Sequence, residues 1–289
     1  MNNASILNLM EKIQLPDIAC EKAMSLLLSD KIKIEKAVGA ATLNNYAPIT
    51  NVYRFNKEKN GAFSLAASLV IADNMHEKYH EKGIPDDIYY DTMSDISVWV
   101  KTAEREKNIC GLFELSWIRH SIFMNMFKIG RLQYQFYKTN YLLSGLYMND
   151  IKSAVIPDKS NVLNIHIPEG GKLDLNLCKA SILDSREFFA KYYPEYDYYG
   201  FVCDSWLLYP DNQKFMAQNS NILNFKNIFQ MVIPTKFESS EIQRRLWGSE
   251  TNKKRIIQGY TENTDLQRRT KQYILSGGKL GNGYGFIVK

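Results

Sequence analysis

The first part of the chain repeats its hydrophobic residues at helical spacing. Apolar side chains recur every three or four positions from 61 to 81, and a second run of the same kind follows. Gly83 and Pro85 separate the two runs, because glycine accepts left-handed backbone angles and proline cannot continue a helix. A further run from Cys110 to Phe127 has the same period. The pattern predicts a helical N-terminal domain over residues 1–127.

After Phe127 the hydrophobic period changes. Apolar and polar residues alternate from Arg131 to Thr139, which is typical of a strand, and aromatic residues on both faces indicate that it is covered on both sides. Short apolar runs predict further strands at 152–156, 162–167, 198–207, 229–233 and 280–288. Helical spacing predicts helices at 174–192, 211–217, 221–228, 241–247 and 264–275. The fold class is therefore α+β, with a mixed-sheet domain over residues 128–289.

Composition narrows the class of protein. The 289 residues are 45% hydrophobic and 23% charged, as in ordinary globular proteins, and no window approaches 18 uninterrupted apolar residues. We expect a cytoplasmic protein without a membrane partner. The four cysteines form no CxxC pair, and His76 and His80, four positions apart on a predicted helix, have no third ligand near them in sequence. A solvated helix face is therefore expected there, and no metal.

The net charge is +5, and much of the excess lies in the last third of the chain. A basic surface attracts phosphate groups, either of a nucleic acid or of a phosphorylated cofactor such as coenzyme A, although a solvated basic face is the simpler interpretation. No RNA-recognition, zinc-finger or helix-turn-helix signature is present, so nucleic acid is the weaker alternative.

Polar side chains with catalytic potential follow two of the predicted strands. His166 and Glu169 lie at the end of the first, and Cys203 and Ser205 at the end of the second. Sites in sheets flanked by helices form where strands end. His166 is a candidate general base, and Cys203 or Ser205 a candidate nucleophile or proton donor. The alternatives are a histidine hydrogen-bonded at a strand edge and a cysteine buried in the sheet.

Two further segments have small residues suited to binding an anion. Gly170 and Gly171 allow close backbone approach before a helix, although a tight turn needs the same residues. Asn219 and Asn221 flank a serine that is also a natural N-cap. Neither a P-loop nor a dinucleotide-binding fingerprint occurs anywhere in the chain.

Several of these segments together resemble a known family. The stretches FKIGRLQYQ, NIHIPEGGKL, CDSWLLYP, NSNILNF and TDLQRRTKQYILSGGKLGNGYG, with IPDDIYYDTMSDISVWV before them, resemble a bacterial family of acyltransferase-like proteins. In that family a helical N-acyltransferase-type domain precedes a domain that resembles the GNAT (N-acetyltransferase) fold. The resemblance covers roughly residues 60–289.

The resemblance implies an acyl-CoA cleft beside the strand that ends at Ile167. The loop after this strand departs from the GNAT phosphate-loop pattern, since its two glycines are adjacent and Glu169 carries a negative charge. The residues expected to contact the cofactor are Ile167, Gly170, Gly171, Lys172, Asn219 and Asn221. The residues expected to act in catalysis are His166 or Glu169 as base and Cys203, Ser205 or Tyr209 as proton donor.

The implied activity is transfer of an acyl group from acyl-CoA, with acetyl-CoA as the expected donor, to an amine or hydroxyl of a small-molecule acceptor. The alternative is a non-catalytic, GNAT-shaped module that binds a small ligand or a protein. The sequence identifies neither the acceptor nor the oligomeric state.

Overall fold

We describe the fold from a computed structural model, which defines residues 2–43, 61–146, 148–236, 241–248 and 257–289. The N-terminal region is helical, as predicted. Its helices are α1 (Asn3–Lys12), α2 (Asp17–Ser29), α3 (Lys31–Leu43), α4 (Ala62–Glu81), α5 (Asp86–Lys107) and α6 (Leu115–Ile122). Helix α4 is the centre of the group, because its first eleven residues are all buried and it packs against the other five helices.

A mixed six-stranded sheet follows the helices. Its strands are β1 (Met126–Ile129), β2 (Leu132–Lys138), β3 (Asn161–His166), β4 (Gly200–Ser205), β5 (Met231–Lys236) and β6 (Asn282–Val288), in the order β1-β2-β3-β4-β6-β5. The accompanying helices are α7 (Met148–Ser153), α8 (Leu175–Tyr192), α9 (Asn221–Lys226), α10 (Glu241–Trp247) and α11 (Asp265–Leu275). Short 3-10 turns span Trp206–Leu208, Pro210–Lys214 and Ile257–Gly259.

The pairing of β3 with β4 is parallel, whereas the other strand pairs of the sheet are antiparallel. The parallel ladder is short: Leu163 pairs with Phe201 and Asn164 with Val202, and no further register pair joins the two strands. Toward their carboxyl ends the strands therefore separate, which leaves a gap between His166 and Ser205.

The two faces of the sheet differ in polarity. On β2, alternate residues Leu132, Tyr134 and Phe136 point to one face. They pack into the large core that α8 and the N-terminal helices complete. The opposite face carries Gln133 and Gln135 on β2, next to Asn164 and His166 on β3. Polar side chains on this partly buried face need hydrogen-bond partners, so the face is suited to form the floor of a binding site.

The structure corrects several predicted elements, and the helix expected at 211–217 is a 3-10 turn at Pro210–Lys214. The helix expected at 110–127 is shorter and spans only α6. Strand β1 begins at Met126 and pairs with β2 through a turn at Gly130. The strand expected at 152–156 is wrong, since 148–153 form helix α7; so short an apolar run does not distinguish the two. Strand β5 continues through Pro234, which is tolerated because β5 lies at an edge of the sheet.

Candidate active site

A cavity of about 1300 Å³ opens where β3 and β4 separate. Its floor is the polar face of the sheet, including Gln133, Asn164 and His166. One wall is helix α5 from the N-terminal half, and the opposite wall is helix α10 from the C-terminal half. The cavity is larger than most small-molecule pockets, so it has room for two ligands side by side.

Helix α5 contributes one face to the wall. The α5 residues that line the cavity recur at helical spacing: Asp95, Val98, Trp99, Thr102, Arg105 and Glu106. The spacing of three, one and three residues places these side chains on one side of the helix. The N-terminal half therefore forms part of the site itself.

All four tryptophans of the chain line this cavity: Trp99, Trp117, Trp206 and Trp247. Each is partly exposed, and none is fully buried in a core. The rings of Trp99 and Trp117 lie 6.3 Å apart, and Trp117 meets the ring of His166 edge-on at 4.7 Å. The cavity thus presents large apolar surfaces beside its polar floor, which suits a ligand with both apolar and polar parts.

His166 belongs to a hydrogen-bonded chain of polar side chains. Its Nε2 lies 2.8 Å from Oε1 of Gln135, and Nε2 of Gln135 lies 3.2 Å from Nδ1 of His120. Nδ2 of Asn125 also lies 2.8 Å from Nδ1 of His120. One proton arrangement satisfies every contact: His166 Nε2–H donates to Gln135, and the two amides donate to His120. His166 then keeps an unprotonated Nδ1.

Both histidines are neutral at physiological pH. Burial, together with the neighbouring His120, lowers the pKa of His166 to about 3. Burial and the adjacent Arg119 lower the pKa of His120 to about 4. The base form of His166 is therefore the form present at the cavity floor.

Asp95 is a buried carboxyl group in the cavity wall. Its Oδ2 accepts hydrogen bonds from Trp117 Nε1 (2.8 Å) and Ser121 Oγ (3.2 Å). Burial raises the pKa of Asp95, and hydrogen bonds from Gln133, Trp117 and Ser121 partly offset this rise. The carboxyl group thereby fixes the orientation of the Trp117 ring against His166.

Glu169 joins the two walls of the cavity. Its Oε2 lies 3.0 Å from Nη2 of Arg105 on α5, and its Oε1 lies 2.6 Å from Nη1 of Arg245 on α10. Two guanidinium groups face the Glu169 carboxylate, and Nη2 of Arg105 also lies 3.8 Å from Oε1 of Glu106. The negative charge that the sequence placed in this loop is thus neutralised.

Arg131 holds the loop that follows β3. Its guanidinium donates to the carbonyl oxygens of Pro168 (3.0 Å), Gly171 (2.9 Å) and Lys172 (2.9 Å). Three hydrogen bonds from one planar group fix the path of the turn. Arg131 itself lines the cavity.

The structure brings five of the predicted site residues together. His166, Ile167, Glu169, Gly171 and Ser205 all line the cavity. Ser205 Oγ also accepts a hydrogen bond from the backbone N–H of Leu207 at 3.2 Å. Gly170 and Lys172 belong to the same turn but are not among the lining residues.

The other four predicted residues lie elsewhere. Cys203 packs fully buried in the main core, where burial raises the pKa of its thiol well above the usual value. Tyr209 is buried at a smaller cavity of about 550 Å³ beside Asp211 and Tyr273. Asn219 and Asn221 are exposed around the start of α9, where Ser220 caps the helix by accepting from Leu223 N–H.

Sequence reasoning missed several residues of the site: Arg105, Asp95, Trp117, Gln135, His120 and Arg245. The α5 residues had a signal, because Asp95, Trp99 and Arg105 share one face of a helix that hydrophobic periodicity predicts. No sequence signal indicated the contacts between α5, β2 and α10, because these contacts join parts of the chain far apart in sequence.

The fold and the site define an α+β protein whose ligand-sized cavity lies between two diverging parallel strands. Residues 126–287 match the profile of the GNAT-like C-terminal domain, and residues 4–124 match that of the N-acyltransferase N-terminal domain. The chain therefore belongs to the family with a GNAT-like C-terminal domain. A comparison with curated protein sequences gives no match.

Several solved acyltransferase structures share the fold of this chain. One, in complex with decanoyl-CoA and teicoplanin, aligns with a TM-score of 0.76 and 17% identity over 97% of this chain and 86% of that chain. A mutant acyltransferase in complex with octanoyl-CoA aligns with a TM-score of 0.75, also at 17% identity, over the same shares of the two chains. At this identity the likeness establishes the fold.

None of the described helices combines the length and the apolar character that a membrane span requires.

Proposed function

We propose that the protein transfers an acyl group from acyl-CoA to an amine or hydroxyl of an acceptor bound in the large cavity. The observation that carries the proposal is the gap between β3 and β4, which opens into a cavity with His166 on its floor. The solved acyltransferases with this fold bind acyl-CoA, which supports the same donor here. Bacterial origin and a cytoplasmic location stay predictions.

For the donor, we propose that the phosphates of coenzyme A bind at the loop after β3. The six cofactor-binding residues expected from the sequence stay proposals, and those of the loop itself are Ile167, Gly170, Gly171 and Lys172. Arg105 and Arg245 add positive charge beside the same loop, where each is paired with Glu169. A bound phosphate would replace the carboxylate as their partner, because guanidinium groups bind both anions in the same two-pronged way.

For catalysis, we propose His166 as the general base. Its unprotonated Nδ1 accepts the proton of the attacking amine or hydroxyl, while the nucleophile forms a bond to the thioester carbonyl carbon. Collapse of the resulting adduct breaks the carbon–sulfur bond and releases the thiolate of coenzyme A. Positioning donor and acceptor in one cavity supplies much of the rate.

Ser205 is the proposed donor to the leaving sulfur. Among the three donors expected from the sequence it is the one at the cavity, whereas Cys203 and Tyr209 lie away from it. Glu169 is less suited to act as the base, since both of its oxygens are engaged by arginines.

The first test is the thermal midpoint of unfolding with and without acyl-CoAs of increasing chain length. A ligand at 100 times its Kd stabilises the folded state by about 2.7 kcal/mol, which shifts the midpoint by several degrees. Release of free thiol with a panel of amines and alcohols then measures transfer. Absence of any shift with every acyl-CoA would overturn the proposal. A shift without thiol release would favour the non-catalytic binding module.

A further inference from the structure

Three metal-ligating side chains meet at the corner between α4 and α5, apart from the residues that line the large cavity. His76 and His80 lie in the last turns of α4, and Asp86 is the first residue of α5. The ligand atoms of all three lie within 4.8 Å of one another. We call these residues the corner cluster.

Two distances within the corner cluster lie on either side of the spacing around a bound ion, and the shorter one is a hydrogen bond. Oδ1 of Asp86 lies 2.8 Å from Nε2 of His76 and 3.5 Å from Nε2 of His80. Zinc bonds nitrogen and oxygen at about 2.0–2.2 Å, which places ligand atoms in a tetrahedral site about 3.4 Å apart. Because the His80 side chain is 59% exposed, its ring can move the short distance needed.

The packing around His76 holds the cluster in place. The imidazole ring of His76 stacks on Tyr89 with centroids 4.1 Å apart and planes at 17°. Tyr89 is buried, and its hydroxyl donates to the carbonyl of Ala72 at 3.0 Å. A ligand whose ring orientation is fixed by its neighbours loses little freedom when it binds a metal.

We propose that the corner cluster binds one divalent transition-metal ion of the zinc class, with water completing its coordination. Two imidazoles and one carboxylate favour Zn²⁺, Ni²⁺ or Co²⁺ over Mg²⁺ and Ca²⁺, which prefer all-oxygen sites. The end of α4 also favours a cation, since the carboxyl end of a helix carries partial negative charge. This proposal departs from the expectation of no metal, which rested on the lack of a third ligand close in sequence.

The ion would act as a structural link between two helices. It joins the last turns of α4 to the first turn of α5 across the short connection at 82–85. Helix α5 carries the cavity wall, so the ion steadies the support of that wall without touching the cavity. Binding to the folded chain alone raises the thermal midpoint of unfolding.

The test uses the full chain, without a histidine tag and freed of metal with a chelator. Calorimetric titration with Zn²⁺ is expected to give one ion per chain, and Co²⁺ to give the visible absorption of a nitrogen- and oxygen-ligated ion. His80→Ala and Asp86→Asn should each weaken Zn²⁺ binding at least tenfold. Asp87→Asn, which alters the neighbouring exposed carboxylate on the same helix, should bind as the unaltered chain does.

Three results would overturn the proposal. One is the absence of both binding heat and a midpoint shift with Zn²⁺, Ni²⁺ and Co²⁺. Another is equal Zn²⁺ affinity in the unaltered chain, His80→Ala and Asp86→Asn, which would place the ion elsewhere. The third is Mg²⁺ binding as tightly as Zn²⁺. Circular dichroism of each variant establishes that the fold is intact, as expected for substitutions at exposed positions.

Discussion

His166 lies on the polar face of the sheet, and its imidazole ring is uncharged. The strand alternation places it on the same face as Gln133 and Gln135, and burial keeps its ring neutral. A neutral imidazole whose Nε2–H is committed to Gln135 offers a lone pair at Nδ1. The lone pair is available to accept a proton, and the lowered pKa makes the imidazole a weaker base than an exposed histidine.

The first prediction concerns His166→Ala. Loss of a general base lowers turnover by about 10²- to 10⁴-fold, whereas the affinity for acyl-CoA changes little because the phosphates bind elsewhere. Thiol release and the ligand-induced midpoint shift measure the two effects separately. Cys203→Ala is the matched comparison: its side chain lies in the core, so we expect about 1 kcal/mol less stability and unaltered turnover. Equal loss of turnover in both variants would contradict this assignment.

The second prediction concerns pH. His166 and His120 have pKa values lowered to about 3 and about 4, whereas an unfolded histidine titrates near pH 6.5. Below about pH 6.5 the unfolded state therefore binds protons that the folded state does not. The stability that these groups contribute is fully present above about pH 6.5 and is lost as the pH falls toward 4.

Denaturant unfolding between pH 7 and pH 5 measures this slope. The double variant His120→Gln with His166→Gln should lose less stability over the same range. The raised pKa of Asp95 acts in the opposite direction, but it is common to both proteins and cancels in the comparison. Identical slopes would mean that the two histidines do not stay neutral in the folded state.

The third prediction concerns Glu169→Gln. Removing this charge frees Arg105 and Arg245 for the phosphates of coenzyme A. Partly exposed ion pairs contribute about 0.2–1 kcal/mol, so the affinity for coenzyme A should rise up to about fivefold. Arg245→Gln should lower it. Calorimetry measures both, with Glu187→Gln on α8 as a remote control. Weaker binding or a large loss of turnover in Glu169→Gln would instead support a direct role of Glu169.

At the scale of elements, local signals located the helices best where the caps are strong. Asp174 begins the helix predicted at 174–192 and is of a residue type that favours N-caps; its Oδ1 accepts from the N–H groups of Asn176 (2.9 Å) and Leu177 (3.0 Å). Thr264 and Gln267 form a capping box at the start of α11, within the helix predicted at 264–275. Cap geometry depends on neighbours in sequence, so sequence alone reveals it.

The fourth prediction follows from the Asp174 cap. Asp174→Ala leaves the N–H groups of Asn176 and Leu177 without their acceptor and lowers the free energy of unfolding by about 1 kcal/mol. Denaturant titration measures this change. Asp184→Ala, in the exposed middle of the same helix, removes the same charge and should change stability by less than half as much. Equal effects would attribute the loss to charge and not to the cap.

Short apolar runs were the elements that the sequence described least well. The segment 152–156 was expected as a strand, yet the chain forms α7 at 148–153. The run from Cys110 to Phe127 was expected as one helix, but its end belongs to β1 because Met126 pairs with Gln135. The contacts that decide both cases come from strands distant in sequence. Strand β2 pairs with Met126, and β5 and β6 pack against the segment 152–156, so the local hydrophobic pattern does not reveal them.

At the scale of the whole molecule, the cavity depends on both halves of the chain. Helix α5 and β2 each contribute residues, and Arg105 meets Arg245 only through Glu169. The division of the chain into two domains between residues 127 and 128 stays a prediction. The site itself extends across that division.

The fifth prediction uses the four tryptophans as reporters. Because every tryptophan of the chain lines the cavity, tryptophan fluorescence should change in intensity or wavelength when acyl-CoA binds. ATP is the control, since it shares the adenine and phosphates but lacks the acyl arm, and it should cause a smaller change. Trp99→Phe should reduce the response to acyl-CoA. An identical response to ATP would mean that the acyl arm does not enter the cavity.

The sequence by itself determined the properties that depend on neighbours along the chain. These are the helical N-terminal region, the mixed sheet that follows, the caps of its helices and the polar cluster at the ends of β3 and β4. Periodicity, capping and turn chemistry depend on residues close in sequence, so they can be recognised without knowledge of the fold.

Only the tertiary structure decided which of these residues share a space. It places His166 with His120 and Asp95, neutralises Glu169 with two distant arginines, and gives His76 and His80 a third partner in Asp86. It also leaves Cys203 enclosed in the core, whereas Ser205, two residues further on at the end of β4, lines the cavity. Burial and charge pairing depend on contacts between residues far apart in sequence, and folding alone creates those contacts.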